Sequence, residues 1–395
     1  MRRVTMTPRP DWPEKCQQVG FNFYDLASEN NEPYWRESAA YEVTMTEVDA
    51  IEEATEELYA MCLKAVDFAI SNQRLHEFEI PEQFWPYITE AWQHKQPTVF
   101  GRFDLAWLPD NSVKLLEFNA DTPTSLLETS VVQWFWMKDM FGDSKDQFNS
   151  LHEQLIDRWK NIRVKDWRLP QNAPLYMASL RDNGDGQLIV EDYDNVAYMA
   201  EVAKAAGFSP RQIFMEDISW SDQYQSFVDK DKQPIRHLYK LYPWEWLVHE
   251  GFSSNILAAG PRTIWIEPIW KMLLSNKQLL VLLWELYPGH RLLLPAFNTK
   301  VPLQGKKHVR KPKLGREGAN VHIFGQDGSL LESQAGGYGA EGYVWQEYIS
   351  LPHFDGWNAV IGSWIVGDTP AGIDFRETST LVTGDMAFFV PHYIS

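Results

Sequence analysis

The chain has 395 residues and a formal charge of −18 at pH 7, from 36 Lys and Arg against 54 Asp and Glu. That balance excludes nonspecific binding to nucleic acid or to an anionic membrane, and it is compatible with a cationic substrate such as a polyamine. An acidic soluble protein with no such substrate would carry the same charge.

A hydrophobic content of 44%, 14% aromatics and 18 Trp describe a folded chain, large enough for roughly two or three lobes around a sizeable core. Cys16 and Cys62 are too few for a disulfide framework and point to a reducing compartment. No apolar run follows Met1-Arg2-Arg3-Val4-Thr5, and no stretch reaches the about 18 apolar residues of a membrane span. The cytoplasm is the expected location.

Residues 1–40 are rich in turn formers and aromatics, including Phe21, Phe23, Tyr24, Tyr34 and Trp35, and read as an irregular lead-in wrapped over the body. Thr44-x-x-Glu47 is a capping box, and Val48, Ile51, Leu58, Cys62, Val66 and Ile70 recur at helical spacing, so one long helix is expected over 46–72.

Two segments then alternate apolar and polar residues with period two: Gly101-Arg102-Phe103-Asp104-Leu105-Ala106-Trp107, and Lys114-Leu115-Leu116-Glu117-Phe118-Asn119. Between them Pro109-Asp110-Asn111-Ser112 is turn chemistry, so an antiparallel hairpin is expected. Pairing Leu108 with Val113 would set Asp104 opposite Glu117 and Arg102 opposite Asn119, all on one face. Two carboxylates across a ladder repel, and a divalent cation would relieve them. Asp, Glu and the Asn amide offer hard oxygen donors suited to Mg²⁺ or Mn²⁺, and Arg102 beside them suits a phosphate. The plainer alternative is a surface hairpin with ordinary charges on its wet face.

Residues 125–140 and 146–162 read as packing helices. Leu175–Leu180, Asn195–Ala206 ended by Gly207, and Gln212–Met215 form a β-α-β pattern without Gly-x-Gly-x-x-Gly, so no dinucleotide is expected there. From Lys306 onward come short strands and tight turns, with strands at 309–314, 319–324, 330–333 and 343–349, which read as a small antiparallel sheet.

Between Lys300 and Arg316 stand seven Lys or Arg and no acid. Alternation puts Lys311 and Lys313 on one face ahead of a turn flanked by Gly315 and Gly318, whose amides could meet phosphate oxygens. A basic loop protecting a sheet edge would look similar.

Taken together, GRFDLAW, KLLEFNADTPTSL, KLYPWEW, EPIWKMLLSNKQLL, RKPKLGREGANV, QEYISLP, IGSWIVG and GIDFRE resemble the ATP-grasp ligases. Within them they resemble the synthetase portion of glutathionylspermidine synthase and its acid–amine ligase relatives, over nearly the whole chain. The resemblance implies an α/β (α+β) ATP-grasp-type nucleotide-binding fold with an inserted pre-ATP-grasp-like α/β lobe and a small antiparallel β lid. The implied division is a lead-in, long helix and metal-binding hairpin at 1–165, the inserted lobe at 166–262, the small lobe with its phosphate loop at 263–360, and a return to the core at 361–395.

The resemblance also implies ATP and Mg²⁺, with metal ligands at Asp104, Glu117 and Asn119 and a phosphate-contacting arginine at Arg102. Lys277, Lys311 and Gly318 fall on its ATP contacts, and Gln346, Glu347, Tyr348 and Ile349 on its adenine-side hinge. Arg376 would face the γ-phosphate. Thr122, Thr124 and Ser125 fall near its peptide substrate, although Thr124 is also a natural helix cap. No Cys follows Asn119-Ala120-Asp121 and no amidase nucleophile is seen, so amidase activity is not expected.

The implied reaction joins a small-molecule or peptide carboxylate to an amine, a polyamine among the candidates, through an acyl-phosphate, with no nucleic acid or membrane partner. A noncatalytic nucleotide-binding regulator of the same fold is the main rival reading. A carbohydrate-cleaving protein would draw on the Trp residues and carboxylates, but most of those Trp lie in apolar helical patterns.

Overall fold

The computed structural model describes residues 1–384 and 386–395. The chain enters as β1 (Arg2–Thr5), winds through the aromatic lead-in and returns as β2 (Ala39–Val43). α1 (Met45–Ser71) follows, its start fixed by the expected box: the Thr44 hydroxyl accepts from the Glu47 amide, and the Glu47 carboxylate accepts from the Thr44 amide at 2.8 Å. Val48, Ile51, Leu58, Cys62 and Val66 are buried along one face. Thr44→Ala is expected to cost about 1 kcal/mol, read as a lower midpoint in urea unfolding.

The hairpin is present as β3 (Phe100–Trp107) and β4 (Val113–Asn119), and β3 is buried throughout. Its register differs from expectation at the turn. Leu108 closes on Ser112, with Asn111 in the left-handed region at φ 63°, so the loop holds three residues and Trp107, instead of Leu108, faces Val113. A bulge between Asp104 and Leu105 then shifts the ladder by one, and Arg102 meets Asn119, and Asp104 meets Glu117, as expected. Gly101 is required here, because a Cβ would stand 2.8 Å from the Phe118 ring, which stacks on Phe103 at 3.8 Å.

After β4 the chain winds through a π turn (Glu128–Val132) into α2 (Gln133–Phe141), then α3 (Leu151–Asn161). The β-α-β pattern appears as β5 (Ala173–Ser179), α4 (Val190–Ala205) and β6 (Phe208–Phe214). With β7 (His237–Leu241) and β8 (Ile264–Ile266) it makes a four-stranded parallel sheet in the order β8-β7-β5-β6.

The apolar α5 (Gln278–Leu286) leads to the small lobe: β9 (Ala296–Phe297), β10 (His308–Pro312), β11 (His322–Phe324), β12 (Leu330–Ser333) and β13 (Tyr343–Glu347). This antiparallel sheet has the order β9-β13-β10-β11-β12. Finally β14 (Trp357–Val366), β15 (Thr369–Thr378) and β16 (Phe388–Val390) join the hairpin in a core sheet ordered β16-β15-β14-β3-β4, and β17 (His392–Ile394) lies parallel to β2. The core sheet therefore joins strands from both ends of the sequence. Among the described residues no helix is long and apolar enough to cross a membrane.

Candidate functional site

Side-chain alternation turns Arg102 and Asp104 of β3, and Glu117 and Asn119 of β4, to one face of the core sheet. Arg102 Nε donates to Asp104 Oδ1 at 2.9 Å, and Arg376 Nη2, from β15, donates to Asp104 Oδ2 at 2.6 Å. Lys277 Nζ, ahead of α5, lies 3.1 Å from Glu117 Oε2. Burial works against the charge on Asp104, but the two guanidinium groups outweigh it and bring its pKa down to about 2. Burial opposes the charge on Glu117 too, and Lys277 pulls its pKa below the ordinary value. In the structure the chain's own cations, Arg102, Arg376 and Lys277, stand against the two carboxylates.

Between this face and the small lobe lies a cavity. Asp104, Glu117, Lys277 and Lys311 gather at one end, and Val309, Ile323 and Leu351 are among its apolar walls. Lys311 Nζ donates to Leu116 O at 2.9 Å and Gln346 Oε1 at 2.8 Å, and burial lowers its pKa to about 8. Gln346, Glu347, Tyr348 and Ile349 all border the cavity. The Glu347 carboxylate turns away onto Lys306 at 2.7 Å, so main chain is what Glu347 offers a ligand.

Lys313 does not share the face of Lys311, contrary to expectation. β10 ends at Pro312, and Lys313 Nζ reaches out to Glu77 O at 2.9 Å and Glu79 Oε1 at 2.7 Å. Gly318 is held at φ 70°, where a Cβ would meet Thr383 O at 2.9 Å, so a side chain there would be both strained and crowded.

A second cavity adjoins the first. It holds Arg102, Asn119, Thr122, Thr124, Ser125 and Arg376, with Tyr34, Glu191 and Arg316 opposite. Asp104, Glu117, Gly318 and Thr383 border both cavities. Among the described residues it is Asn195 Oδ1, and not the Thr124 hydroxyl, that accepts from an amide at the following helix start, from Leu127 N at 3.4 Å, and the Thr124 carbonyl accepts from Arg102 Nη1 at 2.7 Å. Around this shared wall Arg376 Nε and Thr383 Oγ1 are buried with no hydrogen-bond partner among the described residues. Buried donors are ordinarily satisfied, and a phosphoryl oxygen would satisfy them.

The donor set also fits magnesium. Among the described residues no three His, Cys, Asp or Glu gather as a metal cage. Mg²⁺ ordinarily takes one or two carboxylates and completes its shell with water and substrate phosphates. Two carboxylates and the Asn119 amide, set beside a lysine-lined cavity, are that kind of partial shell.

Several residues of the site were not singled out from the sequence. Arg316, whose Nη2 donates to Thr122 Oγ1 at 2.9 Å, stood in the glycine-flanked motif and had a signal there. Tyr34, Glu191 and Thr383 come from distant segments with none.

Two facing sheets with a carboxylate-and-lysine cavity between them, joined to a parallel α/β lobe, make an ATP-grasp-type fold. A glutathione synthetase-like effector of Globodera pallida in its apo form superposes with a TM-score of 0.56 at 9% identity, covering 99% of this chain and 100% of that one. The chain belongs to the family described as glutathionylspermidine synthase preATP-grasp, whose model it matches over residues 3–395.

It is 41% identical, over 402 residues, to a Haemophilus influenzae protein named "Putative acid--amine ligase", covering 100% of this chain and 99% of that one. It is 27% identical to trypanothione synthetase of Crithidia fasciculata, covering 79% of this chain and 50% of that one. To the bifunctional glutathionylspermidine synthetase/amidase of Escherichia coli it is 23% identical, covering 89% of this chain and 58% of that one. The chain thus spans little more than half the length of these last two relatives.

Proposed function

We propose that the chain is an ATP-dependent acid–amine ligase that forms an amide through an acyl-phosphate, with ATP in the first cavity and the acid and amine in the second. The observation that carries this is the shared wall: Asp104 and Glu117 border both cavities, beside the unpartnered Arg376 Nε.

In the first step an oxygen of the acid's carboxylate forms a bond to the γ-phosphorus, the bond to the β-phosphate oxygen breaks, and ADP leaves. Lys277 and Lys311 hold the phosphates, while Arg102 and Arg376 stabilise charge on the transferring group. Magnesium, held by Asp104, Glu117 and Asn119, would neutralise phosphate charge when bound. Gly315–Gly318 shields the acyl-phosphate from water. In the second step the amine nitrogen attacks the acyl carbon and phosphate departs.

The names of the relatives make a glutathione-like peptide the first acid to try and a polyamine the first amine, and the charge of −18 favours a cationic substrate. Two buried free thiols, Cys16 and Cys62, accord with the cytoplasm.

The test is phosphate release from Mg²⁺·ATP with a panel of peptides, glutathione included, crossed with amines, spermidine included. Release that requires both substrates is expected, with a product whose mass equals acid plus amine less water. ATP binding without turnover across the panel would replace this reading with the noncatalytic one.

A further inference from the structure

We propose that Glu128 is the final acceptor of the proton shed by the attacking amine, delivered through the hydroxyls of Ser125 and Tyr34. The inference rests on the ligase reading and goes beyond it in assigning proton transfer.

Glu128 opens the π turn after the hairpin and is wholly buried. Single π turns within helices often mark functional sites. Its Oε1 accepts from Tyr34 Oη at 2.8 Å, and among the described residues its Oε2 has no hydrogen-bond partner and no basic side chain pairs with it. A carboxylate buried for stability would be matched by a cation or several donors.

Tyr34 Oη lies 3.2 Å from Ser125 Oγ, and both residues line the second cavity. Ser125 holds a left-handed φ of 69°, a conformation that costs a non-glycine residue about 1–3 kcal/mol and gathers at functional sites.

The hydrogens have a direction. A phenol has one proton, and when Glu128 is ionised Tyr34 gives it to that carboxylate, so the hydrogen between the two hydroxyls then belongs to Ser125. That leaves the Ser125 oxygen with free lone pairs, and the row is set to pass a proton inward from the cavity. Three segments supply it: the lead-in, the loop after β4 and the π turn.

The chemistry requires such an acceptor. An alkyl amine resembles a lysine side chain, with a pKa of about 10.4, and reaches the site as an ammonium ion without a lone pair. One proton passes to Ser125, whose own proton passes to Tyr34 and that of Tyr34 to Glu128. The freed nitrogen then bonds to the acyl carbon, the acyl carbon–phosphate oxygen bond breaks, and the second N–H proton leaves with the phosphate.

Among the described residues Glu128 faces Tyr34 of the lead-in, Glu191 of α4 and Asp374 of β15. Burial first, and Glu191 next, raise its pKa to about 8. A proton acceptor works best with a pKa near the working pH.

The test uses the acid–amine pair found by the panel and compares that amine with hydroxylamine, which is neutral at neutral pH and has no proton to shed before attack. In Glu128→Gln and in Tyr34→Phe, amide formation is expected to fall by about 10²–10⁴-fold, while hydroxamate formation stays within a few-fold. The wild-type amide rate should rise with pH through about 8, where Glu128 becomes able to accept, and Glu128→Gln should lose that limb. Undiminished amide formation in either folded variant, or equal loss of amide and hydroxamate in both, overturns the relay. A wild-type protein that turns over no pair on the panel sinks the ligase reading itself, a separate outcome. Should Glu128→Gln fail to fold, Tyr34→Phe decides alone.

Discussion

Asp104→Asn is expected to lower ATP turnover by about 10²–10³-fold, the scale on which a lost electrostatic contact at a transferring group is felt, while the protein stays folded. The substitution keeps the size of the side chain and removes its charge. Asp104 holds Arg102 at 2.9 Å and Arg376 at 2.6 Å, and it is one of two carboxylates available to the metal. Without that charge a bound magnesium ion would lose a hard anionic ligand, and both guanidinium groups lose what aims them at the shared wall. The fold survives because β3 is held by its ladders to β4 and β14 and by Phe103 and Leu105 in the core. Circular dichroism should be unchanged, with a lower melting temperature that recovers partly when phosphate gives the arginines a partner. Lys311→Ala should act in the same direction. Lys313→Ala should leave turnover near wild type, because that side chain binds Glu77 and Glu79 outside the cavity. Full turnover in folded Asp104→Asn would refute the assignment.

The contrast between Lys311 and Lys313 shows where local reading stops. Period-two alternation carries a side chain's direction only as far as the strand continues, and β10 ends at Pro312. The hairpin was legible because its strands, turn and charges lie within one short stretch. Even there, the left-handed Asn111 and the bulge beside Asp104 offset each other, so the Asp104–Glu117 pairing was right while the turn was off by one. The β-α-β unit was legible for the same local reason.

Neither the union of β3 with β14 nor the row from Ser125 to Glu128 through Tyr34 could be read that way. Tyr34 is 91 residues from Ser125 and 94 from Glu128. Such pairings follow from how the lead-in packs on the core, and periodicity carries no information about it. The quoted motifs supplied the charged end of the first cavity and Thr122, Thr124, Ser125 and Arg316 of the second, whereas Tyr34 and Glu191 come from segments without a motif of their own.

Beside the aromatic cluster of Phe21, Phe23, Trp35 and Phe389, Glu377 ties the lead-in to the core, and Glu377→Ala should cost about 3–5 kcal/mol, the range for removing one partner of a buried ion pair. The carboxylate is wholly buried on β15 and takes two hydrogen bonds from Arg3 of β1, one from Arg36 and one from Tyr41 of β2, each at 2.8 Å. Alanine would leave two guanidinium groups at the interface without their shared counter-charge, as well as an unsatisfied phenol. Burial opposes the charge on Glu377, but the Arg3, Arg36 and Tyr41 contacts outweigh it and its pKa lies below the ordinary value. A lowered folded-state pKa means the contribution is fully present above the unfolded carboxyl value of about 4.3 and is lost as pH falls through the folded value. Urea unfolding at neutral pH should therefore show the full deficit of the variant, and unfolding at a pH below both values should show little of it. An equal deficit at both pH values would mean that the packing around Glu377, and not its charge, holds the lead-in. Because Tyr34 rides on that lead-in, the same variant should lose amide formation before it loses ATP binding, for which Lys277 and Lys311 are held by other elements.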